Sequence, residues 1–200
     1  MLTKTQIKVM KVFVEHLTQY FSIRGVSRKI KMHHALAHRA SKYLIKQKLI
    51  VPNEQNFFSL NYKENHQELA YIEHLRSKEF LDKPRSKDFA MFVKEIIENF
   101  PKDYFVLLVF GSVVVNSKPR DIDVLLIIEK TGDIESAEKS LYNIARNYTL
   151  KLHTNVISFE SVYEMLTARD QKNVMNEVLN KHLILYGAEL FYRLIKKGRK

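Results

Sequence analysis

Two carboxylates stand two residues apart, Asp121 and Asp123, where an apolar run over residues 122–128 begins. Side chains at positions i and i+2 of a β-strand point to the same face. We therefore expect the two carboxylates to converge, which is costly unless a cation lies between them. Oxygen ligands in small number, completed by substrate phosphates, suit Mg²⁺. The spacing predicts a Mg²⁺ site with Asp121 and Asp123 as its ligands.

A second polar feature precedes this pair. The apolar run 105–110 ends in Gly111-Ser112. A glycine lets a phosphate approach the backbone closely, the N–H groups at a helix start can receive it, and a serine adds a hydroxyl donor. Lys118 and Arg120 supply positive charge in the following loop, although ordinary solvated loop charge is the alternative. We predict that Gly111, Ser112, Lys118 and Arg120 bind a nucleotide, for metal-assisted phosphoryl or nucleotidyl transfer.

Gly111-Ser112, a spacer over residues 113–120 and Asp121-Ile122-Asp123 together resemble the signature of the nucleotidyltransferase superfamily, the DNA polymerase beta-like group. The minimal nucleotidyltransferases of bacteria and archaea are most similar, over about residues 103–195. The resemblance implies a small mixed-sheet domain that binds NTP–Mg²⁺, with Asp121 and Asp123 catalytic. It implies transfer of a nucleotidyl group to a hydroxyl of protein, RNA or a small molecule, and leaves the acceptor open.

The same resemblance implies a third carboxylate on a neighbouring strand. That strand is expected at residues 150–158, which contain no Asp or Glu. We expect Asn155 at the position, with His153 beside it, and an amide is a poor base. Glu160, just beyond the strand, is the alternative. Nucleotide binding is expected to survive the change, and whether the protein is an enzyme stays open.

Charge is distributed unevenly along the 200 residues, whose net charge is +11. Residues 1–85 hold 16 lysines and arginines against seven acids, and residues 16–53 hold eight cations and no acid. A one-sided cationic block is typical of a protein that binds a polyanion. A solvated basic face is the alternative.

Apolar periodicity predicts helices over residues 3–20, 22–30 and 33–48, with a turn or break at Gly25. Residues 49–62 are expected to form a hairpin. This order resembles a winged helix-turn-helix domain whose helix 33–48 enters the major groove. The implied DNA-binding residues are Arg28, Lys29, Lys31, His38, Arg39, Lys42 and Lys46. Winged helices also act in protein interaction or dimerisation, so that alternative stays open.

Helices are expected over residues 64–83 and 87–99, joined by a polar linker at residues 82–86. Strands and helices alternate afterwards, and the last five residues are expected to be a frayed basic tail. The pattern predicts an α+β fold with a mixed sheet. The expected parts are a winged helix-turn-helix domain (1–63), connecting helices (64–100) and a nucleotidyltransferase-like domain (101–200).

Cysteine is absent, and no secretory signal or apolar run of membrane-spanning length is visible, so we expect a cytoplasmic protein without a membrane partner. We interpret the chain as a protein that binds NTP–Mg²⁺ through one domain and DNA through the other. The alternative is a non-enzymatic transcriptional regulator, or an antitoxin-like protein, with a degenerate nucleotidyltransferase domain. A homodimer is left open.

Overall fold

A computed structural model describes residues 2–115, 120–168 and 171–199, and these confirm an α+β fold with a mixed sheet. Its helices are α1 (Lys4–Glu15), α2 (Ile23–Lys29), α3 (His34–Lys46), α4 (His66–Leu81), α5 (Lys87–Asn99), α6 (Ser112–Val115), α7 (Ile134–Ala145), α8 (Phe159–Thr167), α9 (Val174–Val178) and α10 (Ala188–Gly198). Its strands are β1 (Ile50–Pro52), β2 (Phe58–Leu60), β3 (Phe105–Phe110), β4 (Ile122–Ile128), β5 (Leu152–Ser158) and β6 (His182–Tyr186).

The first three helices begin at side-chain caps. Thr3 and Gln6 form a reciprocal capping box, and the Ser22 hydroxyl accepts a hydrogen bond from the Gly25 N–H. Gly25 therefore lies inside α2, and the expected break there is wrong. A Cβ at this position would come 3.2 Å from the Ser22 hydroxyl oxygen, so the glycine leaves room for the cap.

The expected hairpin is confirmed. β1 and β2 pair antiparallel, with Ile50 opposite Leu60, and Phe21 adds an isolated bridge to Phe58. The buried side chains Phe13, Leu44 and Ile50 pack this hairpin and the first three helices into one apolar cluster.

The larger sheet has the strand order β5-β4-β3-β6. β3 pairs antiparallel with β4 and with β6, while β4 and β5 run parallel. All six residues of β3 are buried, as are the last five of β4, because helices cover both faces of the sheet. Val124 and Leu126 face α5 and α7, whereas Leu125 and Ile127 face α8 and α10.

Several boundaries differ from the sequence-based expectation. α1 ends at Glu15 instead of residue 20. Residues 84–86 of the expected linker form a single 3-10 turn whose Ser86 is buried. The basic tail is not frayed at residues 196–198, because α10 continues to Gly198. Within the described ranges, no helix is long and apolar enough to cross a membrane.

Gly187 joins β6 to α10 with a positive φ of 76°. A Cβ there would lie 2.3 Å from the Phe105 carbonyl oxygen. We expect Gly187→Ala to lower the free energy of unfolding by about 2–4 kcal/mol, because it adds a backbone clash to left-handed strain. Urea denaturation checks this against Gly132→Ala, where a Cβ would meet nothing within 4 Å. Equal midpoints for the two variants would contradict the expectation.

A buried polar network connects α4 to the C-terminal half. Glu73 is fully buried, 2.6 Å from the Arg76 guanidinium, and it accepts a hydrogen bond from the Tyr192 hydroxyl at 3.0 Å. Arg76 also donates to the His182 carbonyl at 2.9 Å. Nε2 of His182 lies 3.4 Å from Glu73, within ion-pair range but outside hydrogen-bonding geometry. Burial raises the pKa of Tyr192 well above its ordinary value, and the neighbouring Glu73 carboxylate raises it further.

Acid is expected to weaken this network. Burial acts to raise the pKa of Glu73, but Arg76, His182 and Tyr192 together hold that pKa below its ordinary value. A carboxyl whose folded pKa is depressed stabilises the fold above its unfolded pKa of roughly 4.3, and this stability is lost as the pH falls through the folded pKa. We expect unfolding free energy to fall below about pH 4.3 more steeply in the wild type than in Glu73→Gln. Parallel pH profiles in denaturant titrations would contradict this.

Candidate functional site

Asp121 and Asp123 lie at one end of the larger sheet. Asp121 immediately precedes β4, and Asp123, inside the strand, pairs with Phe110 of β3 and with His153 of β5. Both carboxylates are on the face of Leu125, since residues two apart share a face. Their side chains are 39% and 29% exposed, so a ligand can reach them while the strands fix their backbones.

Gly111 lies directly against this pair. It follows β3 with a positive φ of 71°, and its N–H donates to the Lys181 carbonyl at 3.2 Å. A Cβ at this position would lie 3.0 Å from Oδ2 of Asp123. The glycine therefore fits both the left-handed backbone and the close approach of a carboxylate.

The imidazole of His153 lies beside both carboxylates. Its Nδ1 is 3.5 Å from Oδ1 of Asp123 and 3.9 Å from Oδ2 of Asp121. Asn155 instead pairs with Leu125, two residues further along the sheet. The expectation that Asn155 occupies the position next to the carboxylates is wrong, because the parallel register of β4 and β5 aligns His153 with Asp123.

Glu160 does not reach the site. It lies at the start of α8, where it accepts a hydrogen bond from the Thr131 hydroxyl at 3.2 Å. Ser158, two residues before Glu160, pairs with Ile128 at the opposite end of β4. Five residues of strand span roughly 16 Å. Glu160 is thus at the far end of the sheet from Asp123.

The structure describes two of the other three residues that we expected to bind the nucleotide. Ser112 is exposed and opens α6, directly after Gly111. Arg120 is exposed immediately before Asp121. Lys118 lies outside the described residues.

The side chains at this end of the sheet are the donors that a cation would meet. Asp121 and Asp123 offer carboxylate oxygens from one face, which fits Mg²⁺ held by two protein groups and by substrate phosphates. Among residues 2–115, 120–168 and 171–199, no three His, Asp or Glu side chains are arranged to hold a metal ion unaided.

The expected nucleic-acid-binding residues all lie on the surface of the N-terminal part. The exposed set comprises Arg28, Lys29, Lys31, His38, Arg39, Lys42 and Lys46. His38 stacks on His34, with ring centroids 6.1 Å apart. Arg39, Lys42 and Lys46 share helix α3 and have no acidic partner within 4 Å in the part of the chain that the structure describes.

Lys29 differs from the others because it has internal partners. Its ammonium donates to Nε2 of His16 at 2.5 Å and lies 5.7 Å from the centre of the Phe21 ring. Nδ1 of His16 donates to the Asn180 carbonyl at 3.1 Å. Burial lowers the pKa of His16, and the Lys29 charge lowers it further, which favours the neutral ring that accepts from Lys29.

Sequence reasoning missed the buried network of Glu73, Arg76, His182 and Tyr192. The signal was present: Glu73 and Arg76 are spaced three residues apart on the face of α4 that carries Leu69 and Ile72. Comparison with protein-family models, with curated proteins and with solved structures finds no match to this chain.

Proposed function

We propose that the chain is a nucleotidyltransferase-fold protein that binds NTP–Mg²⁺ at Asp121 and Asp123 and transfers a nucleotidyl group to a hydroxyl acceptor. The observation that carries the proposal is the contact of three features at one sheet end: two carboxylates on one face, a left-handed glycine against them and an imidazole beside them. The mixed strand order supports it, as does the short helix between β3 and β4.

Asp121 and Asp123 would hold the cation, which neutralises the charge of the carboxylates and of the nucleotide phosphates. Gly111 leaves room for the Asp123 carboxylate beside the backbone, and the Ser112 hydroxyl is proposed to donate to a phosphate. Arg120 adds a positive charge next to Asp121, and Lys118 is proposed for the same role.

His153 is proposed to accept the proton of the attacking hydroxyl. In the transfer, an acceptor oxygen forms a bond to the α-phosphorus, the bond to pyrophosphate breaks and the hydroxyl proton needs a base. An imidazole is the commonest general base in enzymes, whereas the Asn155 amide is a poor one. Nδ1 of His153 lies 3.5 Å from Oδ1 of Asp123, beside the proposed cation ligands.

The N-terminal part is proposed to bind nucleic acid as a winged helix-turn-helix domain. Three helices followed by a two-stranded hairpin support this reading, with α3 as the recognition helix. The exposed cations Arg39, Lys42 and Lys46 on α3 would contact phosphates.

A transfer assay tests the enzymatic proposal. The protein is incubated with Mg²⁺, a lysate of its own source and each of the four NTPs labelled at the α-phosphate. We expect label to enter an acceptor with the wild type and not with the Asp121→Asn/Asp123→Asn double variant. Equal incorporation of label by the two proteins would show that Asp121 and Asp123 take no part in the reaction.

A second candidate function is favoured by the absence of any acid on β5. In that reading the C-terminal half binds a nucleotide without transferring it, and the chain is a DNA-binding regulator or an antitoxin-like protein. Mg²⁺-dependent nucleotide binding without label transfer to any acceptor would favour it over the enzymatic proposal.

A further inference from the structure

A cationic cleft lies between the start of α4 and the end of α10. It is open to solvent, has a volume of about 590 Å³ and is lined by Lys63, His66, Arg193, Lys196 and Lys197. Lys63 and His66 follow the β1–β2 hairpin, while the other three belong to the last helix. The two walls of the cleft are thus contributed by the N-terminal and C-terminal parts of the chain.

Positive charge in this cleft is poorly balanced by the protein itself. Arg193 pairs with Glu189 at 2.5 Å, and Lys197 lies 5.0 Å from the centre of the Tyr163 ring. Lys63 and Lys196 have no acidic partner within 4 Å among the described residues. Like charges collected along a cleft repel each other, and they focus a field that attracts anions.

Helix stability explains only part of this arrangement. Lys196 and Lys197 lie in the last turn of α10, where cations interact favourably with the helix dipole. Lys63 lies just before the N-terminus of α4, the end at which the dipole disfavours a positive charge. His66 has partners inside the protein, since its Nε2 donates to the Tyr62 carbonyl at 3.1 Å and its ring stacks on Tyr192. The charge of Lys63 is the one that neither the helix nor an acid explains.

We propose that this cleft binds the phosphodiester backbone of a nucleic acid, which would contact both halves of the protein at once. Lysines on both walls of an open cleft suit a sequence-independent chain of charges. Residues 16–53 hold eight cations and no acid, so a polyanionic ligand is also expected elsewhere on the chain. The inference rests on the proposed nucleic-acid binding for the class of ligand, and it assigns a second surface to it.

Fluorescence anisotropy over a salt series tests the cleft with the full-length protein. The probes are a labelled DNA duplex of about two helical turns and a single-stranded RNA of the same length. The cleft variant is Lys63→Gln/Lys196→Gln, and Arg39→Gln/Lys42→Gln tests α3. Lys130→Gln/Lys139→Gln is the charge-matched control, since both lysines are exposed and unpaired with acids in the described ranges.

We expect the cleft variant to reduce the slope of log affinity against log salt by about two units for duplex DNA, or slightly less for a single strand. The control pair should leave the slope unchanged. A cleft variant that behaves like the control overturns the inference, and loss in the α3 variant alone then still supports the winged-helix proposal. Loss in the cleft variant alone supports the inference and removes the proposed role of α3.

Two further outcomes also overturn the inference. If the wild type binds neither probe, both surfaces fail together. The second outcome concerns competition on the α3 variant, in which the cleft is intact. If polyglutamate displaces the labelled nucleic acid as effectively as unlabelled nucleic acid of equal charge, the cleft recognises acidic chains in general. Comparison of the affinities for the DNA and RNA probes shows which of the two nucleic acids the cleft binds.

Discussion

Replacing Glu73 by alanine is expected to lower the free energy of unfolding by about 3–5 kcal/mol. The carboxylate is fully buried and is the partner of Arg76, which is itself only 9% exposed. Its removal leaves a guanidinium in the protein interior and leaves the Tyr192 hydroxyl without its acceptor. The cost is large because a buried charge without its partner retains the full penalty of desolvation.

Urea denaturation followed by circular dichroism measures this loss, and Glu79→Ala is the matched control on the same helix. Glu79 pairs with Lys11 but is 70% exposed, so its removal should cost no more than about 1 kcal/mol. Glu73→Met/Arg76→Met removes both charges and should recover much of the stability. A Glu73→Ala variant as stable as Glu79→Ala would contradict the structural role of the network.

Replacing His153 by alanine is expected to reduce nucleotidyl transfer by about 10²-fold or more, the usual contribution of a general base. Nucleotide affinity should change little, because the two proposed cation ligands remain. Single-turnover transfer and equilibrium nucleotide binding, measured on the same variant, separate the two effects.

Two variants control this result. His153→Asp supplies a carboxylate at the same register position and should retain transfer. Asn155→Ala alters the next residue on the same face, opposite Leu125, and should behave like the wild type. Equal losses in Asn155→Ala and His153→Ala would contradict the assignment of His153 as proton acceptor.

Local patterns were sufficient to predict much of this fold. The apolar runs of β3 and β4 and the periodicity of α5 correctly predicted buried elements, with residues 122–128 and 87–99 matched to the residue. The capping role of Thr3 was also predictable, because it depends on neighbours in sequence.

Contacts distant in sequence were not predictable in the same way. Whether His153 or Asn155 lies beside Asp123 depends on the register of two parallel strands that are separated in sequence by α7. The partners of the buried pair Glu73 and Arg76 are also distant in sequence, since Tyr192 and His182 lie more than 100 residues away. Gly25 looked like a helix break because its tolerance depends on the Ser22 cap.

Equilibrium binding of labelled nucleotides in Mg²⁺ and in chelator tests the nucleotide–metal site without the need for an acceptor. We expect the wild type to bind at least about tenfold more tightly with Mg²⁺ present, a difference of about 1.4 kcal/mol. Asp121→Asn/Asp123→Asn should lose that difference and remain folded. Affinity that is independent of Mg²⁺, or that is equal in the wild type and the double variant, would contradict a nucleotide–metal site at this end of the sheet.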